Sequence, residues 1–316
     1  MESQRFFIPF KPSESKLKID FNDNIFLIGS CFSTEIHSYF IQSGFRASTH
    51  LFGIAYNPVS IANQIIKSID LNKENNIFIA KQNYFDWESS NVISGSSAED
   101  LSDKLMATRH EMRNKIKAAS CLFITFGSAY AYRLNENKLI VANCHKQDAR
   151  LFTKELLSLQ EMQSLWQQAI EKIKDLNPSI HICFTVSPVR HVRDGIIENN
   201  RSKARLFELV SSLEKLEKVA YFPSYEIMID ELRDYRFYKL DRIHPSDEAI
   251  AYIWERFGEV YFSKATIEMI GKIQSIRKAE NHYFKEATSE ESLHHMEETN
   301  RRKKELSVLE PKINWE

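Results

Sequence analysis

Short apolar runs alternate along the chain with longer segments in which apolar residues recur at helical spacing. A run of roughly four to eight residues without a polar interruption is typical of a strand covered on both faces of a parallel sheet. The runs, together with one weaker segment at 45–50, predict strands at residues 25–28, 45–50, 121–127, 181–186 and 219–222. The alternation of these strands with helices indicates a doubly wound α/β fold that binds ligands at the carboxyl ends of its strands.

Helix boundary signals support the segments between the strands. Asn57 and Pro58 match an N-cap and a first helical residue, and they open a predicted helix that ends near Ile69. A capping-box pattern at residues 158–161 opens another helix that runs toward residue 176. Helical spacing predicts the remaining helices at residues 34–42, 98–119, 202–216 and 246–260.

The pattern divides the chain into three parts. We predict one α/β domain over residues 22–262, preceded by an extended lead-in at residues 1–21 and followed by a charged helical extension at residues 263–316. Within the domain, residues 70–98 are less regular and are predicted to leave the core, whereas residues 129–142 resemble a hairpin. The extension carries an apolar stripe, which we predict to serve self-association.

Charge narrows the classes of partner. The chain has 42 basic and 43 acidic residues, so it lacks the basic excess of a nucleic-acid or anionic-membrane binder. No apolar run approaches the length of a membrane span, and residues 1–18 lack the apolar core of a signal peptide. We therefore expect a cytoplasmic protein whose partner is a small molecule or another protein.

The four cysteines are widely spaced and form no Cys-x-x-Cys pair. In a reducing compartment this spacing predicts free thiols and argues against a disulfide framework. A structural zinc site is not predicted either, because the cysteine and histidine spacing is unlike that of zinc ligands. We expect no metal and no cofactor.

The end of the first strand carries candidate nucleophiles. Gly29 permits a sharp turn, and Ser30 and Cys31 follow it at the predicted start of a helix. The N–H groups and positive dipole end of a helix favour a thiolate or an oxyanion. The alternative is that the serine caps the helix and the cysteine is a small buried side chain.

A second motif near the end of the domain supplies a candidate base. Asp241 precedes His244 by three residues, in a predicted loop just before the last helix of the domain. At that spacing the carboxylate can accept the imidazole Nδ1–H and leave Nε2 facing a nucleophile. An Asp-x-x-His spacing occurs by chance in many proteins. It indicates a catalytic site only in combination with the Gly-Ser-Cys turn.

Five stretches together resemble the GSCFA domain family, which is similar to the SGNH or GDSL-type hydrolases. The resemblance covers residues 22–262 and implies a flavodoxin-like three-layer α/β/α sandwich with esterase or acyl-transfer chemistry. Position 33 departs from the family motif, with serine where the family has alanine. The stretches are Gly-Ser-Cys-Phe-Ser at 29–33, Asn-Cys-His-Lys at 143–146, Ser-Pro-Val-Arg-His at 187–191, the tyrosine-rich segment 221–238, and Asp-x-x-His-Pro-Ser at 241–246.

Alignment with the wider superfamily implies roles for further residues. It places Cys31 rather than Ser30 at the nucleophile position, although both remain candidates. The glycines of the second and third superfamily motifs fall on Gly53 and Gly127, and the asparagine of the third motif is missing. Asn57 and Asn143 are candidate replacements for that oxyanion donor. Two residues that follow predicted strands are further candidates for lining the pocket: His145 and Arg190.

The sequence thus predicts a hydrolase or acyltransferase that acts on an acyl ester of a small molecule or glycan. Cys31 or Ser30 would attack the carbonyl, His244 would take the proton, and Asp241 would orient the imidazole. The alternative is a non-catalytic binding or scaffold protein that retains the SGNH fold, which the missing asparagine favours.

Overall fold

The computed structural model describes residue 10, residues 12–281 and residues 290–315. In chain order the strands are β1 (Asn24–Gly29), β2 (Arg46–Thr49), β3 (Ile77–Ala80), β4 (Asn83–Asp86), β5 (Cys121–Phe126), β6 (Tyr130–Leu134), β7 (Ile140–Val141), β8 (Phe152–Leu156), β9 (His181–Val186) and β10 (Val219–Tyr221). The helices are α1 (Cys31–Gln42), α2 (Pro58–Ile69), α3 (Ala98–Ala118), α4 (Leu159–Leu176), α5 (Ile196–Leu213), α6 (Ser224–Glu226), α7 (Asp247–Tyr261), α8 (Lys264–Glu280) and α9 (Glu290–Leu309).

Five parallel strands form the central sheet in the order β10-β9-β5-β1-β2. Numbered among themselves, these strands run 5-4-3-1-2 across the sheet, which is the flavodoxin-like order. They are the five strands that the apolar runs predict. The predicted flavodoxin-like α/β fold is therefore confirmed.

Burial on both faces explains why the central strands are apolar throughout. In β1, Phe26 and Ile28 pack against the layer formed by α2, α3, α4 and α5. Ile25 and Leu27 point the other way, into the layer that contains α1, α7 and α8. The sheet lies between two helical layers, as in a three-layer sandwich, and the carboxyl ends of its strands share one edge.

The capping signals mark true helix starts. Asn57 Oδ1 accepts the N–H of Ser60 at 2.8 Å and caps α2. Ser158 Oγ accepts the N–H of Glu161 at 3.1 Å and caps α4. The first helix begins at Cys31, at the predicted turn, whereas the predicted start of α5 at residue 202 was late, because that helix already begins at Ile196.

Smaller sheets flank the core. Residues 70–98 contain the antiparallel pair β3 and β4, which the sequence pattern did not predict. The predicted hairpin within residues 129–142 is confirmed, with Tyr132 opposite Val141. Strand β8 extends this hairpin to three strands in the order β7-β6-β8.

The ends of the described chain pack against the domain. Ile19 of the lead-in is fully buried and bridges to Phe262, and the apolar stripe of α8 is buried beside α1. The predicted boundaries at 21/22 and 262/263 and the predicted self-association stay predictions. Parts of the lead-in and the extension lie outside the described residues: 1–9, 11, 282–289 and 316. In the described part of the chain, no helix combines the length and apolarity needed to cross a bilayer.

Candidate active site

The chain turns sharply at Gly29, where β1 ends beside β5. Gly29 has a φ of +123°, and a Cβ there would lie 2.1 Å from the backbone oxygen of Thr125. That approach excludes every side chain, so the turn requires glycine. The N–H of Ser30 donates to the same Thr125 oxygen at 3.0 Å. The turn therefore fixes the start of α1 at the carboxyl edge of the sheet.

Ser30 and Cys31 have different surroundings. Ser30 is 0% exposed, and no described residue hydrogen-bonds to its Oγ. Cys31 is only partly buried and is the first residue of α1. An acyl group coming from solvent therefore reaches the Cys31 sulfur more readily than the Ser30 oxygen.

Opposing influences act on the Cys31 thiol. Burial is the largest and raises the pKa of the thiol, because a thiolate is poorly solvated there. The Glu35 carboxylate, one helical turn further along α1, raises the pKa too. The N–H groups of Cys31 and Phe32 and the ammonium of Lys203 lower it by stabilising the thiolate. The net effect is a raised pKa.

The serine at position 33, where the family has alanine, is accommodated inside the core. Ser33 is 1% exposed, and its Oγ donates to the Ile28 oxygen at 3.1 Å or to Thr125 Oγ1 at 2.8 Å. A buried hydroxyl with partners of this kind is satisfied. The serine therefore adds hydrogen bonds that link α1 to β1 and β5, and it leaves the turn intact.

The Asp241–His244 motif forms a compact local structure. Asp241 Oδ2 lies 2.7 Å from His244 Nδ1, and Oδ1 accepts the N–H groups of Ile243 and His244 at 2.9 and 3.0 Å. These hydrogen bonds, that of the His244 side chain first, hold the pKa of Asp241 well below its usual range. The carboxylate accepts the Nδ1–H and leaves Nε2 as the free imidazole nitrogen.

Contacts from neighbouring elements orient the loop that carries this motif. The N–H of Lys239 donates to the His244 oxygen at 2.7 Å, and the N–H of Arg190 donates to the Ile243 oxygen at 3.2 Å. The Lys239 ammonium lies 3.7 Å from the carboxylate of Glu35 on α1. The loop thus meets the helix that begins with the candidate cysteine.

The last link of a triad is not formed in the structure. Among the described residues, no hydrogen bond joins the His244 ring to Ser30 Oγ or Cys31 Sγ. The His244 side chain is 45% exposed. The structure therefore brings together the predicted base and its orienting acid, and leaves the nucleophile separate.

Two predicted oxyanion donors are engaged elsewhere. The N–H of Gly53 donates to the His50 oxygen at 2.9 Å, and a Cβ at Gly53 would lie 1.8 Å from Ser90 Oγ. Asn57 uses its Oδ1 to cap α2 and donates its amide to Ser60 Oγ at 3.0 Å. The geometry gives both residues structural roles and leaves neither donor aimed at Cys31.

Gly127 lies at the end of β5, next to the turn. Its N–H donates to the Tyr56 oxygen at 2.9 Å, and its own oxygen accepts from Lys203 Nζ at 2.8 Å. A Cβ at Gly127 would lie 2.9 Å from the Tyr56 ring. Gly127 therefore packs the strand end closely against the loop after β2.

Asn143 and His145 belong to a different cluster. Asn143 Oδ1 accepts the N–H of His145 at 2.7 Å, and its amide donates to Asn91 Oδ1 at 3.3 Å. His145 Nε2 lies 3.1 Å from the backbone oxygens of Asp86 and Ser89, and burial lowers the pKa of the ring. Three aromatic rings surround the imidazole: Phe78, Phe85 and Trp87. Within the described part of the chain these contacts hold both residues away from the turn, so both stabilise the excursion at residues 70–98.

Arg190 lines a cavity of about 360 Å³ beside the histidine loop. Its guanidinium lies over the rings of Tyr238, at 4.3 Å, and Tyr235, at 5.1 Å. The cavity wall also includes Asn199 and Lys203 of α5. Through the bond from its N–H to the Ile243 oxygen, Arg190 links this cavity to the loop that carries His244.

The sequence analysis missed Lys203, which is 1% exposed. The available signal was its position on the apolar stripe of the predicted helix at 202–216, in register with Leu206, Val210 and Leu213. A lysine at such a position is usually solvated, so the pattern did not single it out.

Comparison with known proteins identifies relatives of this chain. The sequence model of the GSCFA family matches residues 24–257. No curated protein matches the sequence.

Three solved structures of carbohydrate esterases are similar to this chain at low identity. A family 3 carbohydrate esterase from Clostridium thermocellum is similar over 80% of this chain and 98% of its own, at 11% identity and a TM-score of 0.36. A family 3 enzyme from Talaromyces cellulolyticus is similar over 79% and 98%, at 7% identity and a TM-score of 0.35. A family 2 enzyme with a carbohydrate-binding domain from Corynascus thermopiles (Myceliophthora fergusii) is similar over 84% and 69%, at 10% identity and a TM-score of 0.38.

Proposed function

Because the chain belongs to the GSCFA family, we propose that it is a hydrolase or acyltransferase that acts on an ester-linked acyl group. Cys31 is the nucleophile, His244 the general base and Asp241 the orienting acid. The observation that carries the proposal is the 2.7 Å contact between Asp241 Oδ2 and His244 Nδ1, on a loop that meets α1. The partial burial of Cys31, beside a fully buried Ser30, favours the thiol over the hydroxyl.

The reaction proceeds in two halves. In the first, His244 Nε2 takes the thiol proton as the Cys31 sulfur bonds to the carbonyl carbon. The bond from that carbon to the alcohol oxygen breaks, the imidazolium returns the proton to this oxygen, and a thioester remains. In the second half, water or an acceptor hydroxyl gives its proton to Nε2 and attacks the thioester, and the sulfur leaves and regains a proton. Asp241 holds the Nδ1–H throughout and stabilises the imidazolium.

The first turn of α1 provides the oxyanion donors in this proposal. In the free protein the N–H groups of Cys31 and Phe32 lower the pKa of the thiol by stabilising its thiolate. When the sulfur attacks, the negative charge passes to the carbonyl oxygen, and the same N–H groups stabilise this oxyanion, where one donor contributes roughly 3 kcal/mol of barrier reduction. Gly53 and Asn57 are not used, because their donors bind His50 and Ser60.

The substrate is an acyl ester of a small molecule or glycan, held in the cavity beside Arg190. At about 360 Å³ the cavity is within the size range of small-molecule sites. Its wall combines aromatic and apolar side chains with the Arg190 guanidinium and amides from α5. Such a lining suits the apolar part of an acyl ester together with a few polar contacts.

Acyl trapping tests the proposal. The protein is incubated with 4-nitrophenyl acetate and 4-nitrophenyl butyrate, the release of nitrophenol is followed, and acylated peptides are located by mass spectrometry. We expect the adduct on Cys31, loss of turnover and adduct in Cys31→Ala, and turnover within about tenfold of wild type in Ser30→Ala. Cys144→Ala removes another partly buried thiol and serves as the control. Full turnover in Cys31→Ala, or no reaction of the unmodified protein with a broad ester panel, would refute the proposal.

A non-catalytic binding protein is the second candidate. The absence of a hydrogen bond between His244 and either nucleophile, within the described residues, favours it, as does the engaged N–H of Gly53. A binding protein would give no acyl adduct with any ester. It would instead be stabilised against heat by a ligand without consuming it.

A further inference from the structure

A lysine lies almost fully buried at the carboxyl edge of the sheet. Lys203 on α5 is 1% exposed, and its Nζ donates to the backbone oxygens of Gly127 at 2.8 Å and Ser187 at 2.7 Å. Throughout the described ranges it forms no ion pair with a carboxylate. Packing does not explain this choice, because methionine would fill similar space without the desolvation of a charge.

Strand register places this lysine beside the nucleophile turn. Gly29 of β1 pairs with Thr125 of β5. Cys31 lies two residues after Gly29, and Gly127 lies two residues after Thr125. The Gly127 oxygen that Lys203 binds is therefore next to the turn. The charges are coupled, since the Lys203 ammonium lowers the pKa of the Cys31 thiol and the thiolate raises the pKa of Lys203.

We propose that Lys203 is a positioning residue for Cys31, which holds the ends of β5 and β9 beneath the turn and stabilises the thiolate through its charge. The inference rests on the proposed function only in taking Cys31 as the nucleophile. Lys203 acts through the sulfur and the strand ends, and it takes no proton from the substrate.

Other ionisable groups face the same pair. Glu35 lies on the same helix as Cys31, and its carboxylate raises the pKa of the thiol by repelling the thiolate. The Lys239 ammonium, 3.7 Å from that carboxylate, offsets part of its charge. Burial, and after it the charge of the Cys31 thiolate, raises the pKa of Tyr56 in the loop after β2. The ring of Tyr225 lies 5.7 Å from Lys203 Nζ. Lys203 is therefore the cation that the structure couples to the thiol.

The charge of Lys203 is sensitive to pH near neutrality. Burial lowers its pKa from 10.5 to about 7, because the ammonium is poorly solvated. Below that pH the ammonium is present and favours the thiolate. Above that pH the lysine is mostly neutral, unless a thiolate at Cys31 stabilises the ammonium. The charge of each group thus depends on that of the other, and the two titrate as a coupled pair.

Alkylation of the full-length protein by iodoacetamide tests the role of the charge. The rate at Cys31 is measured from pH 5.5 to 9.5 by peptide mass spectrometry, in wild type, Lys203→Met and Lys203→Arg. Cys144, modified in the same samples, reports on general reactivity and folding. Lys67→Met removes a partly buried lysine on α2, 20% exposed in its side chain, as a matched control.

We expect Lys203→Met to lower the rate at Cys31 about tenfold at pH 6.5, where the wild-type ammonium is present, and progressively less above pH 7, where Lys203 loses its charge. Lys203→Arg retains the charge and should keep the rate within about threefold of wild type. Cys144 should react alike in all variants, and Lys67→Met should match wild type at Cys31. An unchanged Cys31 profile in folded Lys203→Met overturns the proposal, as does an equal loss in folded Lys203→Arg.

A second measurement leaves Lys203 in place, in case its variants do not fold. The Nζ titration is followed by NMR in ¹⁵N-lysine-labelled wild type and Cys31→Asp. Because coupling is reciprocal, a carboxylate in place of the thiol, ionised across the lysine titration, should raise the titration midpoint of Lys203. An identical midpoint in both proteins overturns the proposal. Neither measurement needs turnover, so a protein that consumes no ester can still show the coupling, and the proposed function then fails alone.

Discussion

The two halves of the candidate site are built in opposite ways. The turn from Gly29 to Cys31 is fixed by the sheet, since a neighbouring strand leaves no room for a side chain at the glycine. The loop with Asp241 and His244 is nearly half exposed, and the hydrogen bonds that shape the motif come mainly from its own backbone. One half is rigid because of the fold, and the other is ordered locally.

This difference explains why the structure shows an oriented histidine without a bond to the nucleophile. The Asp241–His244 pair needs no contact from the turn to form, so its geometry is complete without a hydrogen bond to Cys31 among the described residues. Catalytic hydrogen bonds in free enzymes are often long and tighten when substrate binds. In the proposed enzyme, closure of the histidine loop over the substrate would complete the triad.

In the half of the site that is fixed by the sheet, Gly29→Ala is the substitution with the largest expected effect on stability. A Cβ would lie 2.1 Å from the Thr125 oxygen at a φ of +123°, so β1 and β5 would have to separate. We expect a loss of about 4 kcal/mol or more in the free energy of unfolding, measured by urea denaturation. Gly271→Ala is the control, because nothing lies within 4 Å of a Cβ there and alanine favours the helix by up to about 1 kcal/mol. Equal stability of the two variants would contradict a turn fixed by the sheet.

The corresponding change in the locally ordered half is His244→Ala. Its side chain is 45% exposed, so stability should change by no more than about 0.5 kcal/mol. If the proposed function holds, kcat for 4-nitrophenyl butyrate should fall by about 10² to 10⁴. His145→Ala is the matched control, because the partly buried ring of this histidine lies against aromatic residues. It should lose about 2 kcal/mol of stability and keep kcat near wild type; the reverse pattern would exchange the roles of the two histidines.

The same contrast explains how much of the fold the sequence predicts. The central strands were predictable because burial on both faces requires an uninterrupted apolar run, and such a run is visible in a single sequence. The β3–β4 hairpin was missed because its turn places Lys81 and Gln82 at positive φ, where turn signals rest on glycine or asparagine. Its half-exposed strands also lack a clear alternation.

Within the candidate site, local motifs were predictable and tertiary partners were not. The Asp241–His244 contact follows from a spacing of three residues, and the Asn57 cap from its place before Pro58. Lys203 could not be identified as buried, because its two acceptors come from the ends of separate strands. Likewise, nothing in the sequence says that the Gly53 N–H binds a nearby carbonyl.

A gentler change to the rigid half is Ser33→Ala, which restores the family residue. It removes a buried hydroxyl bonded to the Ile28 oxygen and Thr125 Oγ1. We expect a loss of about 1 kcal/mol in unfolding free energy with kcat within about twofold of wild type, since Gly29 still fixes the turn. Ser38→Ala, which removes an exposed hydroxyl of the same helix, should cost less than about 0.5 kcal/mol. A kcat loss larger than tenfold in Ser33→Ala would mean that the hydroxyl itself orders the nucleophile.

The smallest expected effect is a pH dependence in the locally ordered half. Hydrogen bonds, chiefly from His244, lower the pKa of Asp241 from its usual 3.8. A carboxylate with a lowered pKa in the folded state adds stability that is complete above the unfolded value and is lost as the pH falls through the folded value. The difference in urea midpoint between wild type and Asp241→Asn should therefore be constant from about pH 5 upward and shrink below about pH 4. A difference that stays the same down to pH 3 would show that the loop does not depend on the ionised carboxylate, and its order would then come from the Lys239 and Arg190 contacts instead.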